Sequence, residues 1–265
     1  MFNDSSLLTL FDPVDELTNQ FEDGAIKRAV VDTPSLGLGA LAELLVLRRD
    51  WRKAGFDLQL KGGGDARHAV ISQVVKQPAA ATALNATVGA RSVFGGDAPG
   101  QDDTFLFIAT AGRLAREGGM PADAARLMQG AFGELIDNIS KHAGEGARGI
   151  AAFEAGLKAI SLVVADTGQG IVRGYLEKQP ELQGLGATDA LEWAVRRHRS
   201  RFTEPGHGTG FQSVLKAMRT MDASLRVRSD EGSLETEGQA GEAPWLVKDQ
   251  SMLNGFVVSL RLTWA

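Results

Sequence analysis

Apolar and polar positions along this chain follow two periods, one helical and one of two residues. Ala29-Val30-Val31 is a short apolar strand, broken by Asp32-Thr33-Pro34-Ser35. A helical pattern runs from about Leu38 to Ala54, with Leu41, Leu44, Leu45 and Leu47 near helical spacing and a charged cluster, Arg48 to Lys53, at its far end. Gly55 stands where a helix end favours glycine. Phe56 to Lys61 alternates with period two, the mark of a half-buried strand. Gly62-Gly63-Gly64-Asp65 is a turn with an N-cap, and a helix follows through His68 to Val75. Residues 76–103, rich in Ala, Gly, Pro and Asp, read as connecting structure.

A second pattern begins near Thr104. It predicts helices at about 104–117 and 122–143, separated by Glu117-Gly118-Gly119-Met120-Pro121. Strands follow at about 148–155 and 159–165. The second of these, Ala159 to Ala165, is nearly all apolar and so is expected to be buried on both faces. A glycine-studded, charged stretch from Asp166 to Gly210 carries one convincing helix, Thr188 to Val195. A helix at about 211–221, a strand from Ser224 to Ser229 and a strand pair ending in Phe256 to Leu262 complete the pattern.

Composition narrows the classes. The 265 residues carry 28 Lys and Arg against 33 Asp and Glu, a formal charge of −5 and a pI near 5.5. That balance argues against nucleic-acid binding and against an anionic membrane surface through the overall field. No apolar run approaches the roughly 18–20 residues of a membrane span. The N-terminus, acidic early and without a basic start, is no secretory signal, so a cytoplasmic protein is expected. Absent cysteine excludes disulfides, thiolate metal sites and a cysteine nucleophile. Glycine is in excess, 32 residues, about 12% where roughly 7% is usual. Its placement matters more than its count.

Three motifs carry candidate chemistry. Glu134, Asn138 and His142 follow a spacing of four along one helix face, with Asp137 and Lys141 beside them. Asn138 offers a hard oxygen to Mg²⁺, Lys141 a point charge to phosphate, and Glu134 a base or water-orienting group. The plainer alternative is a solvated helix face with one Asp137–Lys141 pair. Asp166-Thr167-Gly168-Gln169-Gly170 follows the buried strand; its carboxylate can accept from an amine while the glycines let a flat ring approach. An ordinary Asp-Thr-Gly turn is the alternative. Gly206-His207-Gly208-Thr209-Gly210 runs into a helix, where free N–H groups and the helix dipole suit phosphate. It is neither a Walker A loop nor a G-x-G-x-x-G fingerprint.

In this order and spacing the three motifs resemble the ATP-binding domain shared by histidine kinases, type II topoisomerases, the large heat-shock chaperone and mismatch-repair ATPases, the GHKL superfamily. The tail resembles it too, in Ala223 to Ser229 and in Asn254-Gly255 before a closing strand. The resemblance covers about residues 104–265. It implies an α/β (α+β two-layer) fold, a mixed sheet with helices on one face, preceded by a small α/β domain over 1–103. It implies ATP and Mg²⁺ as ligands, with Glu134 as base, Asn138 on the metal and Lys141 on phosphate. Asp166 would accept the adenine amine, Gly168 and Gly170 would form the first glycine box, and Gly206, Gly208, Thr209 and Gly210 the second. Residues 172–209 between them would be a mobile lid. Many relatives carry Gly-Thr at the start of the closing strand; here it is Gly255-Phe256, which removes that hydroxyl from the adenine side.

The N-terminal hundred residues resemble a STAS-like, anti-anti-sigma-type domain through Val30-Val31-Asp32, Gly37 to Leu41 and the strand after Gly55. That family often carries Asp-Ser-Ser-Gly where this chain has Asp32-Thr33-Pro34-Ser35. Together these resemblances imply a regulatory switch acting on a protein partner, as an ATPase or an anti-sigma-type serine kinase, and admit a homodimer. The alternative is a nucleotide-sensing interaction module with negligible turnover. Self-phosphorylation has little support, since His68 alone lies upstream of the motif helix and lacks a following acid.

Overall fold

The structure is a computed structural model that describes residues 11–62, 64–76, 82–95, 101–144, 147–177, 179–196, 210–238 and 244–265. It opens with α1 (Asp12–Glu22), a helix started by a proline in its first turn. β1 (Arg28–Asp32), α2 (Leu38–Lys53), β2 (Asp57–Lys61) and α3 (Ala66–Lys76) follow, and β1 pairs with β2 in parallel across the α2 crossover. Then come β3 (Thr82–Leu84), β4 (Val88–Phe94), α4 (Gln101–Glu117), α5 (Ala122–His142), β5 (Arg148–Gly156) and β6 (Ala159–Asp166). The last elements are α6 (Gly170–Leu176), α7 (Ala187–Val195), α8 (Gly210–Met218), β7 (Asp222–Glu237) and β8 (Trp245–Thr263).

Six strands form one sheet in the order β3-β4-β5-β6-β8-β7. The α/β class is as expected, but every pairing in this sheet is antiparallel where a mixed sheet was expected. Tight connections impose three of these pairings, β3 with β4, β5 with β6 (through Leu157 and Lys158 alone) and β7 with β8, each too short for a parallel crossover. Along β6, Ile160, Leu162 and Val164 enter a core with residues of α4, α5 and α8. Val163 and Ala165 point the other way, into a core built with α1, α2 and α3. The apolar run of β6 thus reports burial on two faces, as its sequence implies. Helices cover both faces, not one, because the N-terminal segment supplies the second layer.

Two further expectations are corrected. Residues 82–84 and 88–94 are not a connection but strands of the main sheet, so the sheet draws its strands from both sides of residue 103. The sequence of β4, Val-Gly-Ala-Arg-Ser-Val-Phe, has small residues of weak strand preference, and pairing with β5 decides its state. The stretch expected to be a lid with one helix holds α6 and α7. Leu191 and Val195 are fully buried in the helical core, and the Tyr175 ring meets Trp193 edge-on at 6.3 Å. α6 and α7 are thus anchored to the fold, while most of the described residues from 177 to 186 between them are exposed, and residues 197–209 lie outside the described residues.

The N-terminal layer is tied to the sheet by buried charge. On β7, Leu225 and Val227 face the helical core, which turns Arg226 and Arg228 to the opposite face. Arg226 (1% exposed) donates to Glu43 of α2 at 3.1 and 3.2 Å, to Asp15 of α1 at 2.6 Å, and to Glu235. Its guanidinium lies 4.4 Å from the Phe11 ring centroid. Arg228 (0% exposed) donates to Glu43 and to the Ser251 carbonyl, the latter at 2.7 Å. Lys248 closes the network on Glu235 at 2.9 Å. Burial works against the Glu43 carboxylate, yet Arg226 and Arg228 outweigh it and hold its pKa below the usual glutamate value.

Removing Glu43 leaves two arginines buried without their shared partner. Glu43→Ala should cost about 3–5 kcal/mol of stability in urea denaturation. Because the folded pKa is depressed, the Glu43 contribution is complete above the ordinary glutamate range and is lost as pH falls through the lower folded value. Glu43→Gln should flatten that acid limb. A loss under about 1 kcal/mol in Glu43→Ala would mean the network does not hold the layer.

Candidate functional site

Three segments meet at one end of the sheet. β6 ends in Asp166, paired with Gly149 on β5 and with Phe256 on β8. The chain then turns at Thr167, whose N–H donates to the Arg148 carbonyl at 2.9 Å. The Gln169 N–H reaches the Ala143 carbonyl, just past the end of α5, at 3.2 Å. Gly168 backs onto the same carbonyl, and a Cβ there would collide with it. The first glycine box is thus seated on the end of the helix that carries Glu134 and Asn138. On the other side, α8 starts at Gly210, and its Phe211 ring meets Phe256 edge-on at 6.1 Å. α8 also packs against α5. Phe256 is the strand neighbour of Asp166, so α8 begins beside the same strand end.

Asp166 is 4% exposed. One carboxylate oxygen accepts from the Gly168 N–H at 2.7 Å, and the other accepts no hydrogen bond among the described residues. Burial raises its pKa to about 7, against the lowering effect of the Gly168 bond. A buried acceptor with one oxygen free is equipped to receive one donor from a flat ligand. Gly255, at φ +126°, closes the site from the strand side, since a Cβ there would strike the Asp166 carbonyl. The next residue offers an aromatic ring, not a hydroxyl. The hydroxyl of Ser229 on β7 donates to the Gly255 carbonyl at 2.7 Å.

On α5, Glu134 and Asn138 are half-buried and make no side-chain hydrogen bond or ion pair among the described residues. Lys141 is exposed and pairs with Asp137 at 3.3 Å, as the plainer reading of this helix has it. Gly206, Gly208 and Thr209 lie outside the described residues; Gly210 is the first residue of α8. The structure therefore brings together Asp166, Gly168, Gly170, the end of α5 and the start of α8. Sequence reasoning missed Asp230, whose carboxylate accepts from the Ile171 and Val172 N–H groups of α6. The sequence pattern assigns no element to Asp230-Glu231-Gly232, just past the strand read from Ser224 to Ser229. The segment is a bulge within the long strand β7.

Residues 122–242 match the family described as histidine kinase-, DNA gyrase B-, and HSP90-like ATPases. The matched segment runs from α5 through β7. The match begins after residue 121, so the STAS-like resemblance of the N-terminal part has no counterpart in it. Among solved structures, the 43K ATPase domain of Thermus thermophilus gyrase B in complex with an aminocoumarin is similar over 40% of this chain. The identity there is 19% and the TM-score 0.21, and the match spans 25% of the length of that chain. Comparison with curated proteins returns no match. No helix among the described residues is long and apolar enough to cross a membrane.

The Asp166 environment has a pH signature. The folded group keeps its proton up to about pH 7, while an unfolded aspartate releases it near about 3.9. Between those values the folded state binds more protons, so stability should decline as pH rises, by up to roughly 4 kcal/mol. Asp166→Asn should remove that part of the slope in denaturation curves between pH 4 and 7. An identical slope in the variant would contradict a buried, neutral Asp166.

Proposed function

We propose that this chain binds ATP with Mg²⁺ at the sheet end between α5, the Asp166 loop and α8, and acts as a nucleotide-dependent regulatory switch on a protein partner. The observation that carries the reading is Asp166, buried at a strand end with one oxygen available and glycines packed around it. Its free oxygen accepts the adenine amine, and the glycines keep side chains away from the ring. Glu134 of α5 takes the proton from a water or a protein hydroxyl as that oxygen bonds to the terminal phosphorus and the bond to the β–γ bridging oxygen breaks, releasing ADP. Lys141 turns from Asp137 to the phosphates, an exchange made easy because an exposed pair contributes little.

The donor set fits Mg²⁺ held largely by its nucleotide. No cluster of three or more acidic or histidine ligands occurs among the described residues, whereas Asn138 presents an oxygen without a hydrogen-bond partner. One protein oxygen plus phosphates and water is the usual coordination of this ion in phosphoryl-transfer sites. When bound, it neutralises phosphate charge.

The switch rests on connection. The N-terminal layer grips β7 at Arg226 and Arg228, and the next two residues, Ser229 and Asp230, touch α6 at the nucleotide loop. Nucleotide binding and the N-terminal layer thus act on one strand. The output we propose is an ATPase-driven change in partner binding or a serine-kinase activity toward a separate protein.

Asp166→Asn replaces the free acceptor with an amide and should weaken ATP binding ten- to a hundred-fold, about 1.5–3 kcal/mol, by calorimetry. Glu134→Ala should bind ATP as wild type does while losing about 10²–10⁴ in turnover. Undiminished turnover in Glu134→Ala would strip that residue of its role. Unchanged affinity in Asp166→Asn would remove Asp166 from the adenine site.

A further inference from the structure

The start of α6 is capped by a carboxylate from sixty residues downstream in the sequence. A helix leaves its first N–H groups without intrahelical partners. Here the Ile171 N–H donates to Ser229 Oγ at 2.9 Å and to Asp230 Oδ2 at 3.0 Å, and the Val172 N–H donates to Asp230 Oδ2 at 3.1 Å. Asp230 reaches this position because β7 bulges there. The pairing register with β8 shifts on both sides of it, and its backbone adopts φ +52°. A bulge re-aims a side chain, and a non-glycine residue at positive φ is held there by its surroundings. Gly170, at φ +74°, abuts the same carboxylate, and a Cβ on it would collide with Asp230.

The loop from Asp166 to Gly170 is consequently fixed at three points. Strand pairing holds its start, the Ala143 carbonyl supports its middle, and Asp230 holds its end through α6. We infer that Asp230 is a positioning residue for base recognition, setting where the Asp166 carboxylate meets the ligand and so how well adenine is told from guanine. This rests on the nucleotide reading of the site given above. Asp230 itself touches no ligand; it acts through α6. The same geometry assigns the phosphates elsewhere, because the leading N–H groups of α6 are already occupied.

The test compares wild type, Asp230→Asn and Asp230→Ala by two measurements. Hydrogen exchange of the Ile171 and Val172 amides in nucleotide-free protein reads the cap directly. Calorimetry with ATP and with GTP, each with Mg²⁺, reads base discrimination. Exchange at these two amides should speed up about tenfold in Asp230→Ala, the size of a lost charged cap, and less in Asp230→Asn, which keeps a neutral acceptor. The ATP-to-GTP affinity ratio should fall in the same order, by about tenfold in Asp230→Ala. A merely structural role would weaken both nucleotides equally, and an unchanged ratio in a folded variant overturns the inference. Unchanged exchange at Ile171 and Val172 overturns it as well. Should Asp230→Ala fail to fold, the ratio in Asp230→Asn decides, a reduced value supporting the role and a wild-type value ending it. Absence of ATP binding by the wild-type chain would instead overturn the nucleotide reading itself, and this role with it.

Discussion

An arginine cannot escape burial by giving up its proton, so Arg226 and Arg228 impose a condition on the whole molecule. Their side chains leave β7 on the face opposite the helical core, and they are sealed from water there. Either that face stays open to solvent or something must bring carboxylates to it. α1 and α2 do so with Asp15 and Glu43. The second layer over the sheet is therefore more than a covering of apolar strands. It supplies Asp15 and Glu43, to which β7 itself adds Glu235, so the two guanidinium groups are buried only together with carboxylate partners. Close packing follows from the same docking: Gly39 of α2 lies directly against Ser259 of β8, with no room for a Cβ.

This arrangement places the site under tension from two directions. On the helical side, the carbonyl of Ala143, just past the end of α5, supports the first glycine box, and α5 carries the half-buried Glu134 and Asn138 on one face. On the strand side, β7 carries the buried arginines and, immediately beyond them, the Ser229 and Asp230 that hold α6. A shift of the N-terminal layer would be transmitted along one strand, not through a chain of side chains. A rigid strand shared by two sites is the kind of element through which coupling has a physical basis. The Asp166 carboxyl, lifted to about 7 by burial, sits at the meeting point of both supports.

Much of this was legible in the sequence where the pattern was local. The continuous apolar run of β6 announced burial on both faces, and the elements α2, β2 and α3 lie close to where period and glycine placed them. The spacing along α5 put Glu134 and Asn138 on one face, and Asp166 fell at a strand end. What escaped was decided by partners distant in sequence. β4 mixes Gly, Ala and Ser with two valines and a phenylalanine, without a clear period, and pairing with β5 decides its state. Ser224 to Ser229 alternates as a half-exposed strand would, and only the acids of α1 and α2 reveal its polar face as buried. The helix read at Thr188 to Val195 is α7, whereas glycine and charge masked α6, whose buried residues are Gly174 and Tyr175 alone. Asp230 has no local signal at all, because a β-bulge is set by its pairing with β8.

The central claim is that Asp166 reads the exocyclic amine of adenine. Calorimetry of the wild-type chain with ATP and with the triphosphate of purine riboside, identical except for the missing 6-amino group, tests it directly. A buried acceptor left without its donor costs at least about 1.5 kcal/mol, so ATP should bind ten-fold or more tighter at pH 8 with Mg²⁺ present. Equal affinity for the two nucleotides would contradict the account.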